Sequence, residues 1–357
     1  MPKKSQLVAV DLGSYSVKVA EVESGKNGLI LKNFGMALFP PEVIVEGQIQ
    51  DKVKASEIIK KLITHLNIKN KNVCSAISGV SCILKKLPTI QSKTLEQIEE
   101  TLKGEMEQYI PYDITEVYVD HFIQLPSGET PKAGVMVSEA EVVVAAAPKA
   151  LVDSYVEVLE AAGLNPVIMD IGILAIQNAI EATVPELPSQ HIIVNLGAEC
   201  LSIHAVKDNV PIFTRDTVMG GAQLTRAIMA NFGLDYFEAE SVKLGNRGVQ
   251  PGKEGILKKI FLDYVSEWTK EVARAVDYLK YAFPELNIST MYLTGGTSKL
   301  PGIKDALSLE TRLNVIPVNP FQGLLVDSKK FDEEFLSMYA PDSTQVIGMA
   351  LREAGDR

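Results

Sequence analysis

The sequence Val8-Ala-Val-Asp-Leu-Gly-Ser-Tyr-Ser-Val-Lys18 returns, altered, as Ile192-Ile-Val-Asn-Leu-Gly-Ala-Glu-Cys-Leu-Ser202. The two copies lie a constant 184 residues apart, so that Asp11 corresponds to Asn195 and Gly13 to Gly197. Each copy reads as an apolar strand, a tight turn with glycine, and a second strand whose apolar residues alternate. The sequence therefore predicts two copies of one β-hairpin.

The turn of the first hairpin is suited to binding phosphate. A turn between antiparallel strands gathers backbone N–H groups at one point, where phosphate oxygens can bind. The predicted contacts are Gly13, Ser14 and Ser16. Lys18 would neutralise phosphate charge, and Asp11 would hold a hydrated Mg²⁺. The pattern alone also fits an ordinary hairpin, but its second copy favours two facing turns that clamp a polyphosphate.

The second turn keeps its glycine, Gly197, and has Asn195 in place of the acid. An amide adds no negative charge around a metal ion, so we expect hydrolysis of a bound nucleotide to be weak or absent. A third motif runs from a strand at 291–294 into Gly295-Gly296. Paired glycines let a flat adenine or ribose lie against the backbone.

A fourth element, Glu240 and Lys243, lies on a predicted helix that begins after Asp235. The two side chains are one helical turn apart, so they either face a bound nucleoside together or form an ion pair on the surface. Arg215 and the pair Gly220-Gly221 are further candidates for the phosphate side of the site.

The order of predicted elements divides the chain into a duplicated pair of lobes with an insertion. The first lobe comprises residues 1–80 and 166–190, and an α+β insertion covers 81–165. The second lobe covers 191–357 and contains a helical part at about 223–288. Local signals include Ser56 as a helix N-cap, a capping box of Thr94 with Gln97, and a loop at 126–135.

Composition excludes several classes of protein. The net charge of −10 argues against general binding to nucleic acid or anionic membranes, which select basic surfaces. No apolar run reaches the roughly 20 residues that span a bilayer, and no signal sequence is evident. The three cysteines have no paired spacing. We therefore expect a cytoplasmic protein without disulfides or a zinc site.

The order of two phosphate turns and a Gly-Gly turn resembles the actin, sugar kinase and Hsp70 superfamily. The place of the insertion is similar to that in the bacterial FtsA and PilM families, and PilM is the closer match. Four stretches carry this resemblance: Asp11–Lys18, Glu107-Gln-Tyr-Ile-Pro-Tyr112, Leu293-Thr-Gly-Gly-Thr297 and Gly348-Met-Ala-Leu-Arg352. It implies an α/β, actin-like (ribonuclease H-like) two-lobe fold with an inserted FtsA/PilM-type subdomain.

The resemblance to the PilM family also implies a role in type IV pilus assembly and twitching motility. It implies ATP and Mg²⁺ as ligands, at the residues already identified: Asp11, Gly13, Ser14, Ser16, Lys18, Gly197, Glu240, Lys243, Gly295 and Gly296. The implied partner is the cytoplasmic tail of the inner-membrane protein PilN, in a groove beside the insertion. PilO and PilP would associate indirectly, and pilus assembly ATPases are further candidates. The protein would thus be peripheral to the inner membrane.

Two other functions remain open from the sequence. One is an FtsA-like filament in cell division or a cytoskeleton, although we expect no terminal amphipathic helix of the FtsA type. The other is a small-molecule kinase, for which Asp170 is the candidate base. Tyr109, Pro111 and Tyr112 are either core residues or part of a contact surface, and the sequence assigns no role to Glu199.

Overall fold

The computed structural model describes residues 6–124 and 134–356. Nearly all of the predicted loop at 126–135 lies outside them. The first part of the chain forms these elements: β1 (Val8–Leu12), β2 (Ser16–Gly25), β3 (Gly28–Leu38), β4 (Ile44–Val45), β5 (Gln48–Ile49), α1 (Lys52–His65) and β6 (Asn72–Ile77). β4 and β5 are two residues long each and pair antiparallel as a separate hairpin. The predicted first hairpin is confirmed as β1 and β2, which pair antiparallel.

Helix α1 begins one turn earlier than predicted. Its N-cap is Asp51, whose carboxylate accepts the Lys54 N–H at 2.9 Å. Ser56 is not the cap, because it lies inside the helix and its hydroxyl donates to the Val53 carbonyl. Both residue types favour N-caps, and the acid is the one that lies at the extended position before the first turn.

The middle of the chain contains more strands than its sequence predicted. Its elements are β7 (Ile83–Lys86), β8 (Ile90–Thr94), α2 (Leu95–Tyr109), β9 (Val117–Gln124), β10 (Met136–Pro148), α3 (Lys149–Ala161), β11 (Asn165–Ile171) and α4 (Gly172–Thr183). The long strand β10 pairs with β9 along one side and with β7 and β8 along the other. The capping box of Thr94 with Gln97 is confirmed at the start of α2.

The remainder of the chain repeats the opening. It forms β12 (Gln190–Leu196), β13 (Leu201–Lys207), β14 (Val210–Thr217), α5 (Gly221–Phe232), α6 (Tyr236–Lys243), α7 (Glu254–Ala282), β15 (Thr290–Thr294), α8 (Ile303–Thr311), β16 (Asn314–Pro317), α9 (Glu333–Tyr339) and α10 (Thr344–Ala350). Short 3₁₀ helices lie between several of these elements. Asp235 and Glu238 form a second capping box, at the start of α6.

Two five-stranded sheets have the same strand order. The first reads β3-β2-β1-β6-β11 and the second β14-β13-β12-β15-β16. The constant offset in sequence is also the offset in register: Asp11 pairs with Lys18, and Asn195 pairs with Ser202. The fold is therefore an actin-like duplicated α/β fold, and the duplication extends to individual residue pairs.

Core packing crosses the predicted lobe boundaries at two places. The apolar face of α3, which falls within the predicted insertion, joins the core of the first sheet. Helix α10, which falls within the predicted second lobe, packs against α4 and the other face of the first sheet. Gly348 of α10 lies so close to α4 that a Cβ there would meet the Ala175 carbonyl oxygen at 1.7 Å. The division into lobes remains a prediction, and the C-terminal helix physically joins the two halves.

Candidate functional site

One cleft between the two halves contains all ten residues predicted to contact ATP or Mg²⁺. Its volume is about 490 Å³, within the range of small-molecule sites. The predicted residues in its lining are Asp11, Gly13, Ser14, Ser16, Lys18, Gly197, Glu240, Lys243, Gly295 and Gly296. They come from four separate parts of the chain, which the fold brings together.

The first turn carries a buried ion pair. Asp11 on β1 and Lys18 on β2 face each other across the hairpin, with 3.2 Å between the carboxylate oxygen and Nζ. The second carboxylate oxygen accepts a hydrogen bond of 2.7 Å from Nε2 of Gln345 on α10. The turn itself is closed by the Gly13 N–H, which donates to the Ser16 carbonyl at 3.1 Å. Both carboxylate oxygens of Asp11 therefore have a partner within the cleft.

The second turn has the same backbone and different chemistry. The Gly197 N–H donates to the Cys200 carbonyl at 2.9 Å, the equivalent of the bond in the first turn. The N–H groups of Gly221 and Ala222, at the start of α5, donate hydrogen bonds to the Gly197 and Ala198 carbonyls of this turn. Gly220 and Gly221 do not line the cleft; they allow α5 to approach this turn, since a Cβ on Gly220 would meet the Ala198 oxygen at 2.4 Å.

The Gly-Gly turn packs directly against the second hairpin. Gly295 has a φ of +91°, and a Cβ there would lie 2.4 Å from the Leu196 carbonyl oxygen and 2.6 Å from Oδ1 of Asn195. A Cβ on Gly296 would lie 2.8 Å from Oδ1 of Asp342. Glycine is required at the first position both by the left-handed backbone and by the close approach.

Glu240 and Lys243 form a buried pair rather than a surface one. Their side chains lie 2.6 Å apart and expose less than a tenth of their area. Thr225 donates to the same carboxylate oxygen, and Lys243 also donates to the Thr225 hydroxyl at 3.1 Å. Burial lowers the pKa of Lys243, while the Glu240 charge opposes that shift. A buried charge pair beside a cleft is expensive to maintain, which favours a role in binding over a purely structural one.

Each turn also contacts the opposite half of the molecule. Tyr15 in the first turn lies against Tyr236 of α6, with ring centroids 6.3 Å apart. Burial, with the nearby Glu240 charge, raises the pKa of Tyr15 to about 12, so its hydroxyl stays protonated. Glu199 in the second turn accepts the backbone N–H of Glu46 at the tip of the β4–β5 hairpin. Glu199, left without a role by the sequence, therefore ties the two halves across the cleft.

Several lining residues were missed by the sequence. Lys299 forms an ion pair of 2.7 Å with Asp342 and lies over the Tyr339 ring at 4.8 Å. Gln345 contacts Asp11 from 334 positions away in sequence. Lys299 follows the Gly-Gly motif and could have been included on that ground. No local sequence pattern marks residues 339–345 as part of the cleft. They reach it only because the C-terminal part of the chain packs against the first sheet.

Two candidates lie elsewhere. Arg215 is half exposed and pairs with Glu271 of α7 at 2.9 Å, outside the cleft lining. Asp170 is also outside that lining, and its carboxylate lies 3.5 Å from the Arg352 guanidinium. Burial raises the pKa of Asp170 although Arg352 opposes the shift. The base of the kinase hypothesis is thus a structural ion-pair partner away from the cleft.

A second groove of about 650 Å³ lies between the middle region and the second sheet. One wall is formed by β7 and the C-terminal end of α2, including Tyr109 and Pro111. The other wall comes from β14, with Thr214 and Asp216. Tyr109 is half-buried and also packs on the core of the middle region, so it combines the two roles that its sequence left open.

Comparison with known proteins decides the family. Residues 9–354 match the family model described as type IV pilus assembly protein PilM. The chain belongs to the PilM family of type IV pilus assembly proteins. The two turns and the Gly-Gly motif had indicated this family, and the match confirms it over nearly the whole chain.

Solved structures agree with the assignment. A chain of a PilM-PilN type IV pilus biogenesis complex is 28% identical, with a TM-score of 0.85 over 99% of this chain and 100% of that chain. The ethanolamine utilization protein EutJ from Carboxydothermus hydrogenoformans is 15% identical, with a TM-score of 0.56 over 98% and 90% of the two chains. The latter likeness concerns the fold alone.

Two further features of the described residues concern membranes and metals. None of the helices within 6–124 and 134–356 has the length and apolar character to cross a bilayer. Across the same residues, no group of three or more His, Cys, Asp or Glu side chains is placed to hold a metal ion.

Proposed function

We propose that this PilM-family protein binds Mg-ATP in the cleft and the cytoplasmic tail of PilN in the groove beside the middle region. The observation that carries the first part is the convergence of two phosphate-type turns, the Gly-Gly turn and the buried Glu240–Lys243 pair on one cleft. The second part is supported by the similarity to a chain from a PilM-PilN complex.

The residues present fit a nucleoside triphosphate with magnesium. The backbone N–H groups at Gly13–Ser16 and at Gly197 would bind phosphate oxygens, and Lys18 would add positive charge. The nucleoside would lie between the Gly-Gly turn and the Glu240–Lys243 pair. Asp11 would hold Mg²⁺ through water, since this ion keeps much of its hydration and takes its other oxygens from phosphates. Because Asn195 adds no charge, we propose weak or absent hydrolysis.

The cleft and the groove share a wall, which offers a route for coupling. Residues 78–81 line the cleft, while Val80 and Cys82 line the groove. Asp11 accepts from Gln345, and Gln345 accepts from the Ser78 hydroxyl at 3.4 Å. A change in the bonding of Asp11 would therefore reach the first residue of the shared wall. We propose that ATP and the PilN tail favour the same arrangement of this segment.

The coupling would make the protein a nucleotide-dependent scaffold. It would link the inner-membrane protein PilN, and through it PilO and PilP, to the cytoplasmic side of the pilus machine, where assembly ATPases are candidate partners. The protein would then be held at the inner membrane through PilN and support twitching motility.

The test is fluorescence anisotropy of a labelled PilN-type N-terminal tail peptide titrated with the protein, with and without Mg-ATP. We expect saturable binding that is tighter with Mg-ATP, and thermodynamic linkage requires the peptide to raise ATP affinity by the same factor. The Gln345→Leu variant should bind the peptide without dependence on ATP, whereas Gln322→Leu, an exposed glutamine, should behave as the wild type. Absence of peptide binding by folded protein would refute the PilN assignment. Equal affinity with and without Mg-ATP would refute the coupling alone.

A further inference from the structure

The groove beside the middle region contains an acid, Asp216, with one carboxylate oxygen that has no hydrogen-bond partner among the described residues. Asp216 on β14 lines this groove opposite apolar residues of β7, among them Ile83 and Leu84. Its Oδ1 is buried and has no hydrogen-bond partner within residues 6–124 and 134–356. Buried polar atoms in folded proteins nearly always have partners, so an orphaned carboxylate oxygen in a groove needs an explanation.

The surroundings of Asp216 supply no positive charge. Arg215, its neighbour on β14, points to the other face of the strand and pairs with Glu271. Lys85 also lines the groove, but its Nζ lies over the Tyr109 ring at 5.4 Å. The Cys82 and Cys200 thiols are close enough to interact with Asp216, and burial and the Asp216 charge raise their pKa values to about 12. These thiols stay neutral and cannot compensate the carboxylate.

The position of Asp216 therefore lowers the stability of the free protein. Burial raises the pKa of its carboxyl, and a hydrogen bond from Ser202, its partner across β13 and β14, opposes the rise. A buried carboxylate that lacks part of its hydrogen bonding and has no opposite charge beside it costs a protein stability. Such a feature is expected where a ligand supplies the missing partner.

We propose that Asp216 selects the segment that docks in this groove, by accepting a charge-assisted hydrogen bond from a basic side chain, Lys or Arg, carried on an otherwise apolar extended peptide. This inference rests on the proposed docking of the PilN tail in the same groove. The apolar walls would hold the neighbouring side chains, and the carboxylate would fix the register of the peptide. A second carboxylate, that of Glu107 at the exposed end of α2, adds negative charge at the rim.

The test compares Asp216→Asn with Asp277→Asn, the same change at an exposed aspartate of α7 outside the groove. The probe is the labelled PilN-type tail peptide, and each Lys and Arg of the peptide is also replaced by Met in turn. We expect Asp216→Asn to weaken peptide binding by about 10- to 100-fold, the range for a charged hydrogen bond, and to raise the melting temperature of the free protein. Asp277→Asn should change neither quantity appreciably.

A double-mutant cycle identifies the donor. One Met replacement in the peptide should weaken binding to the wild type and make no further difference with Asp216→Asn. If the wild type binds the peptide and Asp216→Asn binds it equally well, the selectivity role is wrong while the groove assignment stands. A fall in both melting temperature and affinity would assign Asp216 a structural role instead and overturn the proposal. Failure of the wild type to bind any of the peptides would overturn the groove assignment and this inference together.

Discussion

The two hairpins at the cleft share a backbone and differ in nearly every polar side chain. Both turns are closed by the same N–H to carbonyl bond, at 3.1 Å in the first and 2.9 Å in the second. Yet the pair Asp11 and Lys18 in the first hairpin corresponds to Asn195 and Ser202 in the second. The backbone that we propose to bind phosphate has been kept in both copies, while the acid–lysine pair is present only in the first.

The third residue of each turn extends the comparison. Tyr15 and Glu199 occupy equivalent positions, and each contacts the opposite half, one through a ring and the other through a hydrogen bond. The difference between the copies indicates a division of labour. The first turn would organise the metal ion and phosphate charge, and the second would shape the cleft and join its two sides.

The largest expected effect concerns the second hairpin and the turn beside it. Gly295→Ala places a methyl group 2.4 Å from the Leu196 oxygen, on a backbone with φ of +91°. Left-handed strain and overpacking together should cost about 2–5 kcal/mol, enough to remove detectable Mg-ATP binding in calorimetry. Gly302→Ala is the matched control, because Gly302 has a φ of +82° and open space around it. Normal binding by Gly295→Ala would show that the turn does not shape the site.

The next largest effect is expected from removing the positive charge of the first hairpin. Lys18→Ala should weaken Mg-ATP binding by about 1–3 kcal/mol, the scale of a lost charged hydrogen bond. Ser202→Ala removes the side chain at the equivalent position of the second hairpin and should leave ATP affinity within about threefold, since Ser202 carries no charge and does not line the cleft. Equal losses in the two variants, measured by the same titration, would mean that the hairpins contribute alike.

A third difference lies deeper in the sheets, where His204 corresponds to Ala20. His204 is fully buried between Thr214 and Gln177, and burial lowers its pKa to about 3. Because the folded pKa is depressed, its contribution to stability is complete above about pH 6.5 and is lost as pH falls towards 3. The free energy of unfolding in urea should fall by about 1.4 kcal/mol per pH unit from this group. His204→Gln should remove that part of the slope; an unchanged slope would show that another group is responsible.

The hydrogen bond that Glu199 accepts from Glu46 should affect the rates of nucleotide binding and release more than the affinity. Glu199→Ala removes the bond to the Glu46 N–H, so that the cleft opens more easily. Association and dissociation of a fluorescent ATP analogue, followed by stopped flow, should both accelerate by about 3- to 10-fold, with the Kd nearly constant. Arg226→Ala removes only the Glu199–Arg226 ion pair of 3.6 Å and is the control. A change in dissociation alone would make Glu199 a direct contact of the nucleotide.

The smallest effect is expected from restoring the missing acid. Asn195→Asp gives the second turn the carboxylate of the first, and ATP hydrolysis should be at least as fast as in the parent. The measurement is phosphate release at saturating Mg-ATP. A clear drop would contradict the view that charge at this position favours hydrolysis.

Local patterns explain why much of the cleft could be predicted from the sequence. Hairpins, capping boxes and Gly-Gly turns depend on neighbouring residues, so both turns and the Glu240–Lys243 pair could be found from the sequence, and they lie together in one cleft. The ion pair of Lys299 with Asp342 and the bond from Gln345 to Asp11 were not, because they depend on the C-terminal return to the first sheet. Strands β7 and β8 were missed since they are short and their partners lie more than 40 residues away along β10. The groove acid Asp216 also gave no signal, because its isolation is a property of the packed walls.

The most direct measurement is a calorimetric titration of the wild-type protein with Mg-ATP. The geometry of the two turns predicts saturable binding of one nucleotide per chain, displaced by ADP. No binding by protein that is folded, as judged by its thermal transition, would contradict the assignment of the cleft as a nucleotide site.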